Sequence, residues 1–331
     1  MTNLAVIGAG TMGHALALVF AMGGHEVRLT DSNAATLARA PGLMHAALET
    51  LIEGGEAPAG FDHARLDAAV TTHADLGETV AGAGIVVEAI VEHPGAKRVL
   101  FAELDKLLRG GTIIASNTSY LDVFPLIPER RQTFAVIAHW YTPPYLVDLV
   151  DIVPGPRTDA SVVAAMRDLV SGLGKEPVVF DKFISGYVAN RLQSALTLEV
   201  NRLIDEGIAT PEQIDRSIIH GLALRLPVLG HVMKADFTGL PMMQNALANR
   251  TYTPPEPRGE SPTLDLLMAA GRTGAMSGRG YYDWGGRSPE ELFRARDRKL
   301  ITIRKAMRQA GSMLEYKANG CKKNGPKPGG R

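Results

Sequence analysis

The stretch LAVIGAGTMGHALALVFAMGGHEVRLTD, from Leu4 to Asp31, constrains the fold more than any other part of the chain. Its first apolar run predicts a buried parallel strand. Three glycines follow in the Gly-x-Gly-x-x-Gly spacing, apolar residues then recur at helical spacing, and a second strand-like run ends at Asp31. Strand, glycine turn, helix and strand in this order predict the first unit of a doubly wound α/β sheet.

Each glycine of this turn has its own physical role. Gly8 permits the tight turn, Gly10 lets the backbone approach a pyrophosphate, and Gly13 lets the helix pack close to the strand. The helix N-terminus offers N–H groups to the phosphates. Asp31 can accept hydrogen bonds from both ribose hydroxyls and would repel a 2′-phosphate, which predicts NAD rather than NADP. The alternative is an ordinary glycine-rich turn.

Further apolar runs alternate with helical stretches as far as residue 180, and strand-like runs then cease. We therefore predict a Rossmann-type doubly wound sheet followed by an all-α C-terminal domain. The predicted organisation is an NAD-binding domain at residues 1–184, a helical substrate and dimerisation domain at 185–310, and a disordered tail at 311–331.

Composition excludes several classes of protein. Lysine plus arginine equals aspartate plus glutamate, so no net field attracts nucleic acid or a membrane. A single cysteine, Cys321, excludes a disulfide framework and a zinc cluster, and we expect no metal site. We find no signal peptide and no apolar run long enough to cross a membrane, and so expect a cytoplasmic location. The basic tail could bind an anion, although an unstructured end is the simpler interpretation.

Several stretches, in this order and spacing, point to one family: VIGAGTMG, IVVEAIVE, ASNTS, AHWYTPPYLVDLVDIVP, SGYVANRLQSALTLEVNRLIDEGIAT and GRGYYDW. Over roughly residues 3 to 310 the chain resembles the 3-hydroxyacyl-CoA dehydrogenase family, most of all its lambda-crystallin, L-gulonate and L-carnitine dehydrogenase branch. The resemblance implies an NAD-dependent enzyme, with a helical domain that forms a homodimer and an active site in the cleft. Thr11 and Met12 complete the implied nucleotide-binding turn.

His139 ends a strand-like run, where ligands bind in open α/β folds, and imidazole can accept a hydroxyl proton. By resemblance it is the catalytic histidine, and Asp151, twelve positions later, stands where the family has glutamate. Asp148 and Asp151 fall on opposite faces of a strand, and Asp151 is our candidate partner of the imidazole. Because aspartate is one methylene shorter, the strand shifts, a water intervenes, or the pair is weaker. The alternatives are a structural histidine and a solvent-facing aspartate.

The resemblance implies further site residues. Ser119 and Asn190 match positions that contact the substrate oxygen, Asn117 matches one at the nicotinamide, and Glu88 and Lys97 match positions near the cofactor ribose. Simpler interpretations are turn chemistry for Ser119 and Asn117, a helix-surface amide for Asn190, and solvated charges for Glu88 and Lys97.

Two more positions bear on the substrate. Thr142 stands where the family usually has asparagine, so the pocket loses an amide that both donates and accepts. Arg225 matches an arginine typical of the small-substrate branch and suits bidentate capture of a carboxylate; a surface ion pair is the alternative.

The segment from residue 32 to 67 carries Arg39 and Arg65, no lysine and several acids, which makes a poor surface for the phosphates of coenzyme A. We therefore predict oxidation of a small 3-hydroxy acid. The alternatives are a 3-hydroxybutyryl-CoA type of dehydrogenase and a crystallin-like protein that binds NAD but has lost catalysis.

Overall fold

The computed structural model describes residues 3–250, 252–257 and 259–316. Cys321 and most of the tail predicted to be disordered lie outside the described residues. The chain divides into two compact units, one ending at Arg191 and the other beginning at Leu192. The boundary at 184/185 that the sequence indicates stays a prediction.

The first unit is built on one eight-stranded sheet with the order β3-β2-β1-β4-β5-β6-β7-β8. The strands are β1 (Asn3–Ile7), β2 (Glu26–Thr30), β3 (Val70–Thr72), β4 (Ile85–Glu88), β5 (Ile113–Ser116), β6 (Ala135–Trp140), β7 (Leu149–Pro154) and β8 (Glu176–Val179). Neighbouring strands are parallel throughout, except that β7 runs antiparallel to β6. The predicted doubly wound α/β fold is thereby confirmed.

Helices connect these strands and pack on the sheet. They are α1 (Gly13–Met22), α2 (Ala34–Glu53), α3 (His63–Ala69), α4 (Leu76–Val80), α5 (Pro94–Leu107) and α6 (Ala160–Gly172), with short 3-10 turns at Phe124–Leu126 and Glu129–Phe134. Side chains that accept a backbone N–H begin several of them, as at Asn33 for α2 and Asp62 for α3.

The core explains why these strands read as continuous apolar runs. All six residues of β6 and all four of β4 are buried, because helices cover both faces of the sheet. Since β1, β2, β4, β5 and β6 are mutually parallel, their carboxyl ends share one edge of the sheet. Gly8, Asp31, Glu88, Asn117 and His139 therefore lie along that edge.

The second unit is helical, as predicted. Its helices are α7 (Ala189–Asp205, which begins in the first unit), α8 (Pro211–Ser217), α9 (Leu226–Leu229), α10 (Val232–Thr238), α11 (Leu240–Ala248), α12 (Pro262–Ala269) and α13 (Pro289–Ala310), with a π-helical turn at Ile218–Ala223. Capping boxes begin α8 and α13, at Thr210 with Gln213 and at Ser288 with Glu291. Among the described helices of the chain, none is both long and apolar enough to span a bilayer.

Candidate active site

In the glycine turn after β1, two of the three glycines are tightly packed and the third faces open space. Gly8 has φ +98°, and a Cβ there would lie 2.5 Å from the carbonyl oxygen of Ala89. A Cβ on Gly13 would lie 1.5 Å from the carbonyl oxygen of Gly8, whereas a Cβ on Gly10 would meet nothing within 4 Å. Helix α1 also begins at Met12 without a side-chain cap. The open side at Gly10 and the uncapped helix end fit a pyrophosphate.

Asp31 lies just beyond β2 and is fixed against this turn. Its Oδ2 accepts the N–H of Ala9 at 2.7 Å, and its Oδ1 accepts the N–H of Asn33 at 2.8 Å. The half-buried carboxylate is thus oriented before any ligand arrives. Carboxylate oxygens keep further lone pairs for hydroxyl donors, so the arrangement fits the adenosine ribose of NAD.

His139 and Asp151 face each other across the antiparallel pair β6–β7. They are direct cross-strand partners, which places their side chains on the same face of the sheet. The distance from His139 Nδ1 to Asp151 Oδ2 is 3.3 Å, and both side chains are almost fully buried. Of the three possible consequences of the shorter aspartate, a shifted strand, an intervening water or a weaker pair, this long contact fits the last. Asp148 instead lies beside Lys175, with 3.4 Å between Oδ1 and Nζ.

The other imidazole nitrogen faces Ser119, with 3.1 Å from His139 Nε2 to Ser119 Oγ. A carboxylate only accepts hydrogen bonds, so Nδ1 carries a proton, and in the neutral imidazole Nε2 then presents a lone pair. Ser119, His139 and Asp151 therefore form one hydrogen-bonded chain that can take up a proton at Nε2 and stabilise the resulting charge from Asp151.

Glu92 holds the loop that carries Ser119. Its Oε1 accepts the backbone N–H groups of Ser119, Tyr120 and Leu121 at 2.8, 2.8 and 3.3 Å, and the hydroxyl of Thr118 at 2.7 Å. Burial opposes ionisation, but the hydrogen bonds from Tyr120 and Thr118, together with Lys97, hold the pKa of Glu92 below its ordinary value.

Two tyrosines enclose the imidazole. The ring of Tyr141 meets His139 edge-on at 4.5 Å between centroids, and the ring of Tyr187 lies at 4.8 Å. Tyr141 donates its hydroxyl to Asp151 Oδ2 at 2.6 Å, and Tyr187 donates to the carbonyl of Thr118 at 2.6 Å. Burial raises the pKa of both phenols, and for Tyr141 the bond to Asp151 adds to this. Tyr187 has φ +48°, which is unusual for a bulky residue and points to a functional constraint.

Glu88 and Lys97 form a buried ion pair beneath the edge of the sheet. Lys97 Nζ lies 2.7 Å from Glu88 Oε1, and Ser116 Oγ donates to Glu88 Oε2 at 2.5 Å. The interpretation of both residues as solvated charges is therefore wrong. Both oxygens of Glu88 bind protein donors, while Glu92, which is partly exposed, also contacts Lys97 at 3.3 Å.

Asn117 and Thr142 connect the strand ends. Asn117 Oδ1 accepts the N–H of Trp140 at 2.8 Å, which fixes the end of β6 against the end of β5. Thr142, which is exposed, directs its hydroxyl to Met12 Sδ at 3.1 Å and precedes Pro143 in a cis peptide bond. The glycine turn and the segment after His139 are thereby in contact.

The remaining candidates lie on helices. Asn190 is the second residue of α7, is half-buried, and follows Tyr187 by three positions. Arg225 precedes α9 in the second unit, is exposed, and donates to the carbonyl of Gly221 at 2.9 Å. Thr11 is exposed at the glycine turn.

Sequence reasoning missed Glu92, Tyr141 and Tyr187. A signal existed for Glu92, because it opens the turn before α5, five positions ahead of Lys97, where a charge can reach back. For Tyr141 the signal was an aromatic hydroxyl two residues after a histidine that ends a strand. Within the described residues, no group of three or more His, Cys, Asp or Glu side chains is placed to hold a metal ion.

An open α/β sheet with this glycine turn is the architecture of dinucleotide-binding domains, and here a helical unit follows it. The family model for the NAD-binding domain of 3-hydroxyacyl-CoA dehydrogenase matches residues 3–183, and the model for its C-terminal domain matches residues 186–284. The chain therefore belongs to the 3-hydroxyacyl-CoA dehydrogenase family. The predictions of family, cofactor and enzyme class are confirmed.

Individual relatives agree. The chain is 30% identical to a 5-formyl-3-hydroxy-2-methylpyridine 4-carboxylate 5-dehydrogenase of Mesorhizobium japonicum, over 92% of this chain and 98% of that protein. It is 32% identical to an L-carnitine dehydrogenase of Streptomyces griseus, over 92% and 89% of the two chains. A solved structure of a 5-formyl-3-hydroxy-2-methylpyridine 4-carboxylic acid 5-dehydrogenase, an NAD+-dependent dismutase, superposes with a TM-score of 0.82 at 28% identity, over 93% of this chain and 99% of that one.

Proposed function

We propose that this protein oxidises the hydroxyl group of a small free 3-hydroxy acid, with His139 as the general base. The observation that carries the proposal is the hydrogen-bonded chain Ser119–His139–Asp151 at the carboxyl end of β6. Its members come from three separate segments of the chain. The segment that follows His139 also contacts the glycine turn, through Thr142 and Met12.

The residues divide the work as follows. His139 Nε2 takes the proton of the substrate hydroxyl. Asp151 keeps the opposite nitrogen protonated and stabilises the imidazolium. Ser119 Oγ donates to the substrate oxygen while it becomes a carbonyl, and Asn190 is its proposed second donor. NAD, when bound, supplies the acceptor for the hydride that leaves the same carbon.

The cofactor would be held by the glycine turn with Thr11 and Met12, by Asp31 at the ribose, and by Asn117 at the nicotinamide end. Lys97 and Glu88, as a buried ion pair, would support this site near the cofactor ribose. Because Glu88 already binds three protein donors, Ile90 N–H, Lys97 and Ser116, the acid that faces the second ribose in this proposal is Glu92.

Charge on the first unit supports a free acid over a thioester. Helices α2 and α3 and the loop between them carry two arginines, Arg39 and Arg65, against five carboxylates. The carboxylates are Glu49, Glu53, Glu56, Asp62 and Asp67. A surface of this composition repels the phosphates of coenzyme A. In the proposal Arg225 binds the substrate carboxylate. The relatives named for carnitine and for a pyridine carboxylate also act on small acids.

The test is NADH formation by the purified protein with two matched panels. One panel holds free 3-hydroxy acids, including 3-hydroxybutyrate, gulonate and carnitine. The other holds the coenzyme A thioesters of the same acids, wherever such a thioester can be made. We expect turnover of at least one free acid at a kcat/KM at least tenfold above that of its thioester. Turnover of thioesters alone would overturn the choice of substrate. Silence of both panels, with NAD still bound, would favour the crystallin-like alternative.

We also propose a homodimer formed through the second unit. Helices α11 and α12 bury no residue, and large apolar side chains on them are exposed: Leu247 by 78% and Leu266 by 73%. Surfaces of this kind mark interfaces. Sedimentation of the purified chain should give a dimer, and Leu266→Lys should weaken it while Val99→Lys, an exposed position of α5, should not. A cytoplasmic location stays a prediction.

A further inference from the structure

The carboxylate of Asp151 serves two donors through one oxygen. Oδ2 receives the hydroxyl of Tyr141 at 2.6 Å and faces His139 Nδ1 at 3.3 Å. The phenol is thus the closer partner, and the imidazole the more distant one. A carboxylate that already accepts a short hydrogen bond has less negative charge to offer a second donor.

Tyr141 is placed to act on the imidazole as well as on the carboxylate. Its ring meets His139 edge-on at 4.5 Å between centroids, so ring and hydroxyl together fix the angle between the two groups. Tyr141 follows β6 by one residue, so the same strand that presents His139 also presents the residue that binds its partner.

We propose that Tyr141 is a positioning residue of the His139–Asp151 pair, whose hydroxyl shares Asp151 Oδ2 with His139 Nδ1 and thereby weakens the stabilisation that Asp151 gives to the imidazolium. The inference rests on the proposed function for its catalytic meaning, although the shared carboxylate exists without it.

The sign of the effect follows from burial. Asp151 is 1% exposed, and a buried carboxylate that loses a donor turns to the donor that remains. Without the Tyr141 hydroxyl, Asp151 should therefore bind His139 Nδ1 more tightly and favour the imidazolium. Neutral His139, the form that accepts the substrate proton, would then require a higher pH.

Other charged and titratable groups act on the imidazole or on the residues that contact it. The ring of Tyr187 also contacts the imidazole, and Glu92 accepts the backbone N–H of Ser119. Asp122 acts on Tyr187, and Tyr120 acts on Tyr141. Tyr141→Phe keeps the aromatic ring and removes only the hydroxyl, so its comparison with the unaltered chain reports the loss of that hydroxyl.

The experiment is a titration of the His139 imidazole by nitrogen NMR in the full chain, with the signal assigned from its loss in His139→Gln. In Tyr141→Phe we expect the midpoint to move to higher pH by about 0.5–1 unit, and the acidic limb of kcat/KM to move with it. Asp151→Asn, which removes the charge, should move the midpoint to lower pH. Tyr187→Phe is the matched control, because it removes a hydroxyl from the other tyrosine that contacts the ring and should leave the midpoint within about 0.2 units.

A midpoint that stays fixed or falls in Tyr141→Phe would overturn the proposal. If that variant does not fold, replacing Tyr141 by 3-fluorotyrosine strengthens the donor and should move the midpoint to lower pH; a rise or no change would count against the proposal equally. The titration needs no substrate, so its outcome is separate from that of the proposed function, which fails through silence of the NADH panels.

Discussion

Lys97 is a lysine with 1% of its side chain exposed, and its ammonium lies between Glu88 and Glu92. A buried charge is tolerated only while its partner remains, because an unpaired charge in the interior bears the full cost of lost hydration. Glu88 and Lys97 match cofactor positions by resemblance, and in the structure they form a buried ion pair.

Removing this ammonium should therefore destabilise the first unit. We expect Lys97→Met to lower the free energy of unfolding by about 3–5 kcal/mol, measured by denaturant titration. The control is the double variant Lys97→Met/Glu88→Gln, which removes the fully buried unpaired charge and should recover part of the loss. Glu92 stays charged there, but it is a third exposed and keeps its backbone N–H donors. A loss below about 1 kcal/mol in the single variant, typical of exposed pairs, would contradict the burial of the pair.

Glu92 should give the stability of the first unit a pH dependence. Its pKa lies below the ordinary value of 4.5 in the folded chain, so its contribution is complete above that value and is lost as pH falls through the lower folded value. Glu92→Gln keeps an acceptor but removes the charge. Since a third of the side chain is exposed, we expect a loss of about 1 kcal/mol at neutral pH that vanishes in acid. Thermal unfolding across pH measures it, and parallel curves for the two proteins would contradict it.

At this scale the sequence could predict the residues whose chemistry is carried by type and position. His139 at a strand end and Asp151 twelve residues later are of this kind. The position of Tyr141, two residues after His139, was the only sequence signal for it. The partner of its hydroxyl was not predictable, because the 2.6 Å contact with Asp151 depends on how the chain leaves β6. Roles in binding and catalysis stay predictions for every candidate residue.

At the scale of elements, the first βαβ unit offers a comparison of two glycines in one turn. A Cβ on Gly13 would collide with the Gly8 carbonyl at 1.5 Å, whereas a Cβ on Gly10 would point into open space. A side chain at position 13 would therefore disturb the packing of α1 on β1. A side chain at position 10 would only narrow the space proposed for the pyrophosphate.

We therefore expect Gly10→Ala to fold with an unchanged melting temperature and to bind NAD at least about tenfold more weakly. Gly13→Ala should lose several kcal/mol, about 3–5, of unfolding free energy. Calorimetry for NAD and thermal unfolding for both variants measure this. If Gly10→Ala binds NAD as the unaltered chain does, the phosphates lie elsewhere.

The strands fall on the apolar runs of the sequence, most clearly β1, β4, β5 and β6, whose residues are almost all buried because helices cover both faces of the sheet. The edge strands β3 and β8 are more exposed. The antiparallel insertion of β7 was harder to predict, since an apolar run carries no direction. It matters for the site because only the antiparallel register makes His139 and Asp151 direct partners.

At the scale of the whole molecule, choice of substrate is proposed to depend on charge. The first unit offers few cations at α2 and α3, and Arg225 in the second unit is exposed. We expect Arg225→Met to raise KM for the free acid by about 10–100-fold with kcat nearly unchanged, because a carboxylate distant from the reacting carbon binds equally in ground and transition states.

Arg225→Lys should have a KM between those of the unaltered chain and of Arg225→Met, because lysine keeps the charge but loses the bidentate geometry. The matched control is Arg216→Met, which removes an exposed arginine of α8 that pairs with Glu212 on the same helix. Equal KM values for Arg225→Met and Arg216→Met would show that Arg225 is a surface arginine without a role in binding.

The most direct test of His139 as the general base is single-turnover NADH formation by His139→Gln beside the unaltered chain, with NAD binding measured in both. A general base contributes about 10²–10⁴-fold to the rate. We predict a loss in that range for His139→Gln with NAD affinity preserved. A rate within about threefold of the unaltered chain, with the cofactor equally bound, would contradict the assignment of His139 as the base.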